Sequence, residues 1–314
     1  MKRKMNPIYM VIICALVLVL LTVVAVLLMG YRITSDNGIK FIGKFENGQP
    51  VKGYLNYPGD NDGYLDKANN TITFDDGSKY VGDIDFLCRH GDGKMTFANG
   101  DVYEGEWEDD TINGEGVRYY SNGDVYTGEF KDGVAHGKGK SVVKATETRD
   151  GMTYEGEYKD GLVHGQGTCI WDNGSIYTGS FSEGARHGYG ELQLANEDSS
   201  DAEDGTNVEE YKGYWVNDKK EGADGELHYT NGDKYFGPFI NDKPDTRAKD
   251  AAGNFVMLEN GKHSHNVKGM YFYADGRTYT GYFEEGKIVT AEGELVEDTT
   301  PDYIFSGEES SETE

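Results

Sequence analysis

Four histidines, His90, His136, His164 and His187, are the side chains of this 314-residue chain best suited to proton transfer or metal ligation. Each stands ten residues after a tyrosine (Tyr80, Tyr126, Tyr154, Tyr177) and directly before a glycine pair. Acid–base catalysis needs one imidazole beside a distinct partner, and zinc needs its ligands about 2.1 Å from one ion. Histidines that recur with a period fall about 10 Å apart on successive strand pairs, too far to share a metal. They read as packing or turn-capping residues, and Asn113 takes the same place after Tyr103.

Asp60-Asn61-Asp62-Gly63 followed by Asp66 has the composition of a calcium loop, but its spacing departs from D-x-[DN]-x-[DN]-G and no glutamate closes it. It reads as a turn. Residues 196–210 hold seven acids and no base, a solvated loop that binds calcium only weakly, through charge. No helix pattern follows glycine pairs such as Gly137/Gly139, so they are not phosphate cradles. We therefore expect no catalytic residue, no metal ligand and no cofactor, hence no enzyme. What repeats on the surface is carboxylate: Glu104, Glu106, Glu129, Glu155 and Glu157. Two readings stay open, solubility of a thin sheet and a negative face that meets a basic partner protein.

One module must position all of these, and Asp101–Asp124 shows it best. Tyr103, Gly105 and Trp107 alternate with Glu104, Glu106 and Glu108, the period of a half-buried strand. Gly114 and Gly116 lead into a second strand over 117–120, and Asn122-Gly123 predicts a two-residue type I′ turn after it. Copies recur as Phe41/Gly43/Phe45, Tyr80/Gly82/Ile84, Tyr126/Gly128/Phe130, Tyr154/Gly156/Tyr158, Tyr177/Gly179/Phe181, Tyr211/Gly213/Trp215, Tyr235/Gly237/Phe239 and Tyr279/Gly281/Phe283. Stacked edge to edge, nine such hairpins predict a rod of about 85 Å, with each glycine leaving a trough for rings of the neighbouring unit.

The Y-x-G-x-[WF], G-x-G and N-G-D signatures over residues 41–296 resemble the MORN repeat family. Departures fall at 57–79, which lack the glycine pair, at 240–267, which break phase, and after Tyr279, where only Gly293 stands near the expected place. The resemblance implies an all-β, elongated repeat of antiparallel hairpins and a role as a scaffold or membrane-associated module. Family members sometimes carry a lipid kinase or methyltransferase domain, for which no residues remain here. Junctophilins pair the same repeat with a membrane span at the opposite end, an analogy for tethering only.

Residues 8–29 form 22 uncharged, almost wholly apolar positions, enough to cross a hydrocarbon core of about 30 Å. A cleaved signal peptide is the competing reading, but its apolar run is shorter and ends in small residues. Lys2, Arg3 and Lys4 precede the span and Arg32 alone closely follows it, which keeps the amino terminus cytoplasmic and places the repeats on the far side. Cys88 and Cys169 lie about three repeats apart, so no disulfide is expected. The formal charge of −26 argues against nucleic acid and against anionic lipid as ligands of the repeats.

The expected organisation is thus a cytoplasmic terminus (1–7), a transmembrane helix (8–29), a linker (30–40), a MORN-type domain (41–296) interrupted by the acidic insertion 196–210, and an acidic tail (297–314). Lys140–Gly151 reads as a lengthened hairpin loop. The function expected is a single-pass, membrane-tethered scaffold that binds a protein partner, with homo-oligomers possible through open sheet edges. A surface carbohydrate or cell-wall binder, using tyrosines as sugar platforms, and a lipid-associated module are the alternatives.

Overall fold

The computed structural model describes residues 7–59, 61–195 and 208–296. The cations Lys2, Arg3 and Lys4, Asp60, most of the acidic insertion (196–207) and the tail (297–314) lie outside the described residues. The apolar stretch is one helix, α1 (Pro7–Leu28), whose residues at 1.5 Å each reach about 33 Å. Its window Met10–Leu28 has mean hydropathy 3.5, and among the described residues none of it is buried. Gly30, at φ 83°, ends it by donating to the Leu27 carbonyl.

The chain divides into two compact units, Met1–Val134 and Ala135–Glu314. In the first, β1 (Tyr31–Asp36), β2 (Ile39–Glu46), β3 (Gln49–Asn56), β4 (Gly63–Asp66), β5 (Thr71–Phe74), β6 (Lys79–Asp85), β7 (Cys88–Thr96), β8 (Val102–Glu108), β9 (Thr111–Tyr119) and β10 (Val125–Lys131) each pair antiparallel with the next. In the second, β11 (Val134–Val143, starting at the last residue of the first unit), β12 (Met152–Lys159), β13 (Leu162–Trp171), β14 (Ile176–Ser182), β15 (Ala185–Gln193), β16 (Val208–Val216), β17 (Lys219–Tyr229) and β18 (Lys234–Ile240) each pair antiparallel with the next. The fold is all-β apart from α1 and one short 3-10 turn at Lys67–Asn69. Strand β1 occupies the stretch expected as a linker, and β4 and β5 give 57–79 ordinary strands despite the missing glycine pair.

Beyond β18 the phase break has a simple form. After β19 (Lys243–Pro244), residues 245–267 make an excursion held by isolated bridges such as Arg247↔His265, and β18 then pairs with β20 (Gly269–Phe272). The last hairpin is β21 (Thr278–Glu284) with β22 (Lys287–Val289). Residues 144–151 form the lengthened loop between β11 and β12, closed at Val143↔Met152.

The two turns of each module are the reverse of the sequence expectation. Asn99-Gly100 is not a type I′ pair: only Gly100 has positive φ, 90°, while Gly100 N–H donates to Phe97 and Phe97 N–H to Asp101. This is a three-residue loop, a type I turn followed by a left-handed glycine. The asparagine is there for its side chain, since Asn99 Oδ1 accepts the Asp101 N–H at 3.0 Å. Asn122, Asn173 and Asn231 do the same for Asp124, Ser175 and Asp233. The type I′ turns sit at the other end, where both residues have positive φ: Asp109-Asp110 (46°, 66°), Asp160-Gly161 (51°, 84°) and Asn217-Asp218 (49°, 68°). The second strand accordingly runs through the glycine pair, as β9 does through Gly114 and Gly116, with a bulge opposite 105–107.

The trough is real, but the ring that fills it belongs to the same module. A Cβ on Gly116 would lie 2.5 Å from Tyr103 Oη, and one on Gly167 would lie 2.4 Å from Tyr154 Oη. Each ring lies over the glycine two residues on and over that glycine's partner, Gly105↔Gly116 or Gly156↔Gly167. Its hydroxyl donates to the carbonyl three residues ahead: Tyr103 to Glu106, Tyr154 to Glu157, Tyr177 to Ser180, Tyr235 to Pro238, each at 3.0 Å. Neighbours enter edge-on. Tyr103 touches its own Trp107 (5.6 Å between centroids) and Phe130 of the next module (5.1 Å), and Tyr211 touches Trp215 and Phe239 alike. Each such pair adds about 0.5–1.5 kcal/mol to the burial of the ring.

Candidate interaction face

Within each unit the tyrosine ladder occupies one face, so what that unit can offer a ligand stands on the other. Phe41, Tyr80, Tyr103, Tyr126, Tyr154, Tyr177, Tyr211 and Tyr235 are all buried, and Tyr279 is half-buried. Burial pushes the hydroxyls of Tyr103 and Tyr177 up to about 12. Gly82, Gly105, Gly156, Gly179, Gly213, Gly237 and Gly281 each lie beneath a ring of their own module, and Gly128 pairs with Gly116. Trp107, Phe130, Tyr158, Phe181, Trp215, Phe239 and Phe283 are the buried edge partners of those rings. The rings at these repeat positions are packed against the sheet, while Tyr54, Tyr119, Tyr120, Tyr189 and Tyr214 are exposed.

The middle residue of each glycine pair escaped the sequence reading, and it defines the outer face. Register sets Asp92 opposite Glu106 and Glu115 opposite Glu129, all four exposed, in the first unit. At the same places in the second unit stand Lys138 opposite Glu157, Gln166 opposite Ser180 and Tyr189 opposite Tyr214. Those pairs are complementary: Gln166 Nε2 donates to Ser180 Oγ at 2.7 Å, and the rings of Tyr189 and Tyr214 meet edge-on at 5.8 Å. Asp92 and Glu106 are not. A hollow of about 440 Å³ opens beside them, lined by His90, Asp92, Glu106, Glu108 and Asn113. Glu104 and Glu155 differ from these acids, being paired with Lys94 at 2.7 Å and Lys140 at 3.8 Å.

The histidines sit beside the next turn. His90 Nδ1 is 3.8 Å from Asp109 and His136 Nδ1 is 3.9 Å from Asp160, while His164 and His187 occupy the same bulge position on β13 and β15. Among the described residues no group of three or more His, Cys, Asp or Glu side chains is placed to hold a metal. Asp62 accepts from Asn56 and from the Tyr57 N–H, and Asp66 accepts from Lys52, so the calcium-like run is taken up by strand and turn contacts. Cys88 and Cys169 are buried free thiols, and burial pushes Cys88 up to about 12 and Cys169 to about 11.

A second feature absent from the sequence reading is the residue after each Asn-Gly or Asp-Gly turn. Ser78, Asp101, Ser175 and Asp233 are buried. Each accepts a backbone N–H from the turn of the next hairpin: Ala98 to Ser78, Ser121 to Asp101, Ala195 to Ser175 and Ala274 to Asp233. Burial by itself would raise the Asp101 carboxyl, but the Ser121 N–H and the Arg118 guanidinium outweigh it and hold it below the usual carboxylate range. The signal was present as the D or S that ends N-G-[DS] or D-G-S; only its reach, across 20 residues at Ser78, Asp101 and Ser175 and across 41 at Asp233, was not.

Six stretches of the chain, 89–102, 103–125, 126–142, 154–176, 177–199 and 211–234, match the MORN repeat model. No curated protein sequence matches the chain. Among solved structures it is similar to the TCP domain of SAS-4 (dCPAP) from Drosophila melanogaster, in complex with a proline-rich motif of Ana2 (dSTIL), at 14% identity over 68% of this chain and 88% of that one, with a TM-score of 0.30. It is also similar to the TCP10c domain of Drosophila melanogaster Sas-4, at 14% identity over 81% and 99%, with a TM-score of 0.20. At these TM-scores neither likeness carries an argument about this chain.

Proposed function

Taking the chain as a carrier of MORN repeats, a protein- and membrane-interaction repeat, we propose that it is a non-catalytic, membrane-tethered interaction module. In this reading α1 anchors it in a bilayer, and the acidic couple Asp92/Glu106 of the first unit receives a basic segment of a partner protein. The observation that carries the reading is Asp92 opposite Glu106, both exposed, beside the hollow. Like charges directly opposite weaken a sheet, and a cationic ligand relieves that repulsion. Solubility alone does not require the acids to face each other, since the second unit meets it with complementary pairs. Anchoring is supported by the length and hydropathy of α1. The cations at residues 2–4 support a cytoplasmic amino terminus with the repeats on the far side.

The test uses the full chain in phosphatidylcholine nanodiscs, titrated with an oligolysine peptide. Salt-sensitive binding is expected, falling about tenfold or more when Asp92→Asn and Glu106→Gln are combined. Equal binding by the variant overturns the acidic site. Protease shaving of intact cells that leaves the repeats untouched overturns their placement outside.

A further inference from the structure

We propose that the outer face of β1–β4, which lies outside the six MORN-matching stretches, rests in the headgroup layer of the membrane that α1 enters; this builds on the anchoring reading above. Register places Ile33 opposite Ile42, Ile42 opposite Tyr54, and Tyr54 opposite Tyr64, an apolar row across four strands. The row is open: Ile33 is 76% exposed, Ile42 56% and Tyr54 69%, and the Tyr54 ring meets Tyr64 edge-on at 4.9 Å. One row closer to the helix, the same face carries Tyr31, Lys44, Lys52 and Asp66, and Lys40 flanks the apolar row on the other side.

Position says what covers this face. Only Met29 and Gly30 separate α1 from β1, and the Phe45 N–H donates to the Gly30 carbonyl at 2.8 Å, so the first strand pair is fastened to the helix end. With the end of α1 at the hydrocarbon boundary, the Tyr31/Lys44/Lys52 row falls at headgroup level. The Ile33/Ile42/Tyr54 row follows about 7 Å further along the strands, within reach of the same layer.

Composition agrees with position. Tyrosine and lysine are the side chains that favour a membrane interface, the ring half-immersed and the ammonium reaching outward. In the next four modules the places of Ile42 and Lys44 are taken by Val81 and Asp83, Glu104 and Glu106, Thr127 and Glu129, and Glu155 and Glu157, and further on aromatic and basic residues return, as at Lys212 and Tyr214 or Phe236 and Pro238. The charge changes with them. On the repeats' side of the membrane, residues 31–66 hold four basic residues and five acids, a formal −1, which with +3 from Lys2, Arg3 and Lys4 across the bilayer leaves −28 on residues 67–314. The repulsion from anionic headgroups expected of the chain as a whole is therefore much weaker at this end, with Lys44 paired to Glu46 and Lys52 to Asp66.

Spin labels test this in the full chain, with Cys14→Ala to leave only the two buried native thiols. Labels go to Ile42→Cys, to Thr127→Cys on an exposed site of β10, and to Leu20→Cys within α1. The protein is placed in phosphatidylcholine vesicles with and without phosphatidylglycerol. Collisions with oxygen are expected to exceed those with a water-soluble nickel chelate at Leu20 and Ile42, and the reverse at Thr127. Combining Lys40→Glu, Lys44→Glu and Lys52→Glu should shift Ile42 towards the Thr127 ratio in the anionic vesicles. A lipid-immersed Leu20 label with a water-exposed Ile42 label overturns this inference and leaves the anchor standing; a water-exposed Leu20 label overturns both. Spin–spin broadening at Ile42 that vanishes on dilution with unlabelled chain assigns the face to a second copy and overturns the membrane contact.

Discussion

Arg89 and Asp110 clasp each other through backbone and side chain together. Arg89 N–H and Nε both donate to Asp110 Oδ1 at 2.9 Å, a terminal guanidinium nitrogen donates to the Asp110 carbonyl, and the Asp110 N–H returns to the Arg89 carbonyl at 3.0 Å. The guanidinium carbon also lies 4.3 Å from the centre of the Trp107 ring. Arg186 and Asp218 repeat the arrangement over Trp215, at 4.2 Å. A strand of one hairpin thus closes the type I′ turn of the next. Arg89→Ala should cost about 2–3 kcal/mol, and Arg89→Lys a large part of that, because an ammonium supplies neither the fork nor the flat contact. Urea titration of both variants, with Asp110→Asn as the second arm of a double-mutant cycle, measures it; a coupling near zero would show that the clasp contributes nothing.

Gly167 lies beneath the Tyr154 ring with no room for a methyl group. Gly167→Ala is expected to lose about 1–3 kcal/mol by forcing the ring off its seat. Tyr154→Phe should lose about 1 kcal/mol, the worth of the hydrogen bond to Glu157. Thermal melts followed by near-ultraviolet circular dichroism check the order. If the glycine variant melts with the parent, the ring is not confined there.

Neutralising one member of the acidic couple, Asp92→Asn, should raise the melting temperature while weakening oligolysine binding. Opposed changes in stability and affinity are what a site held under repulsion predicts. A variant that binds less without gaining stability would mean that the couple is already screened by solvent.

His265 gives the second unit a dependence on mild acid. Its Nδ1 lies 2.9 Å from Thr246 Oγ1, and its buried Nε2 faces Glu284 at 3.6 Å, with His263, Asp245 and Arg247 gathered around the same glutamate. Burial holds the imidazole below its ordinary range, against the pull of Glu284 and Asp245. The unfolded chain takes up this proton near pH 6.5, and the folded chain only lower. Stability should therefore fall as pH drops below about 6.5 and level off once the folded imidazole is charged. Urea midpoints across this range should show a slope that His265→Gln flattens; an unchanged slope would assign it to other groups.

The period, the strands and the buried side of each strand were legible because alternation and glycine spacing report backbone geometry directly. Asn-Gly was misplaced because two turn types use the same dipeptide. Here asparagine holds an ordinary φ and works through its side chain, while Asp109-Asp110 adopts the left-handed pair without any glycine. The ring in the trough was assigned to the wrong module because spacing along the chain does not say whether Tyr103 folds back over Gly105 or reaches across. The couples at Asp92 and Glu115 were out of reach for a related reason. Which residue opposes which is set by the register of β7 on β8 and of β9 on β10, and alternation along one strand leaves that register open.

The buried side chains that reach from one turn to the next have a consequence for how the chain tolerates insertions. Ser175 holds Ala195 just before the acidic insertion, and Leu194 N–H meets the Glu209 carbonyl just after it, so β15 and β16 come back into step at Gln193↔Glu210. At the other insertion the Gly151 carbonyl receives the Asp172 N–H in place of a side chain. Each joint thus resets the count locally, and a miscounted loop is corrected within one module instead of shifting every strand downstream.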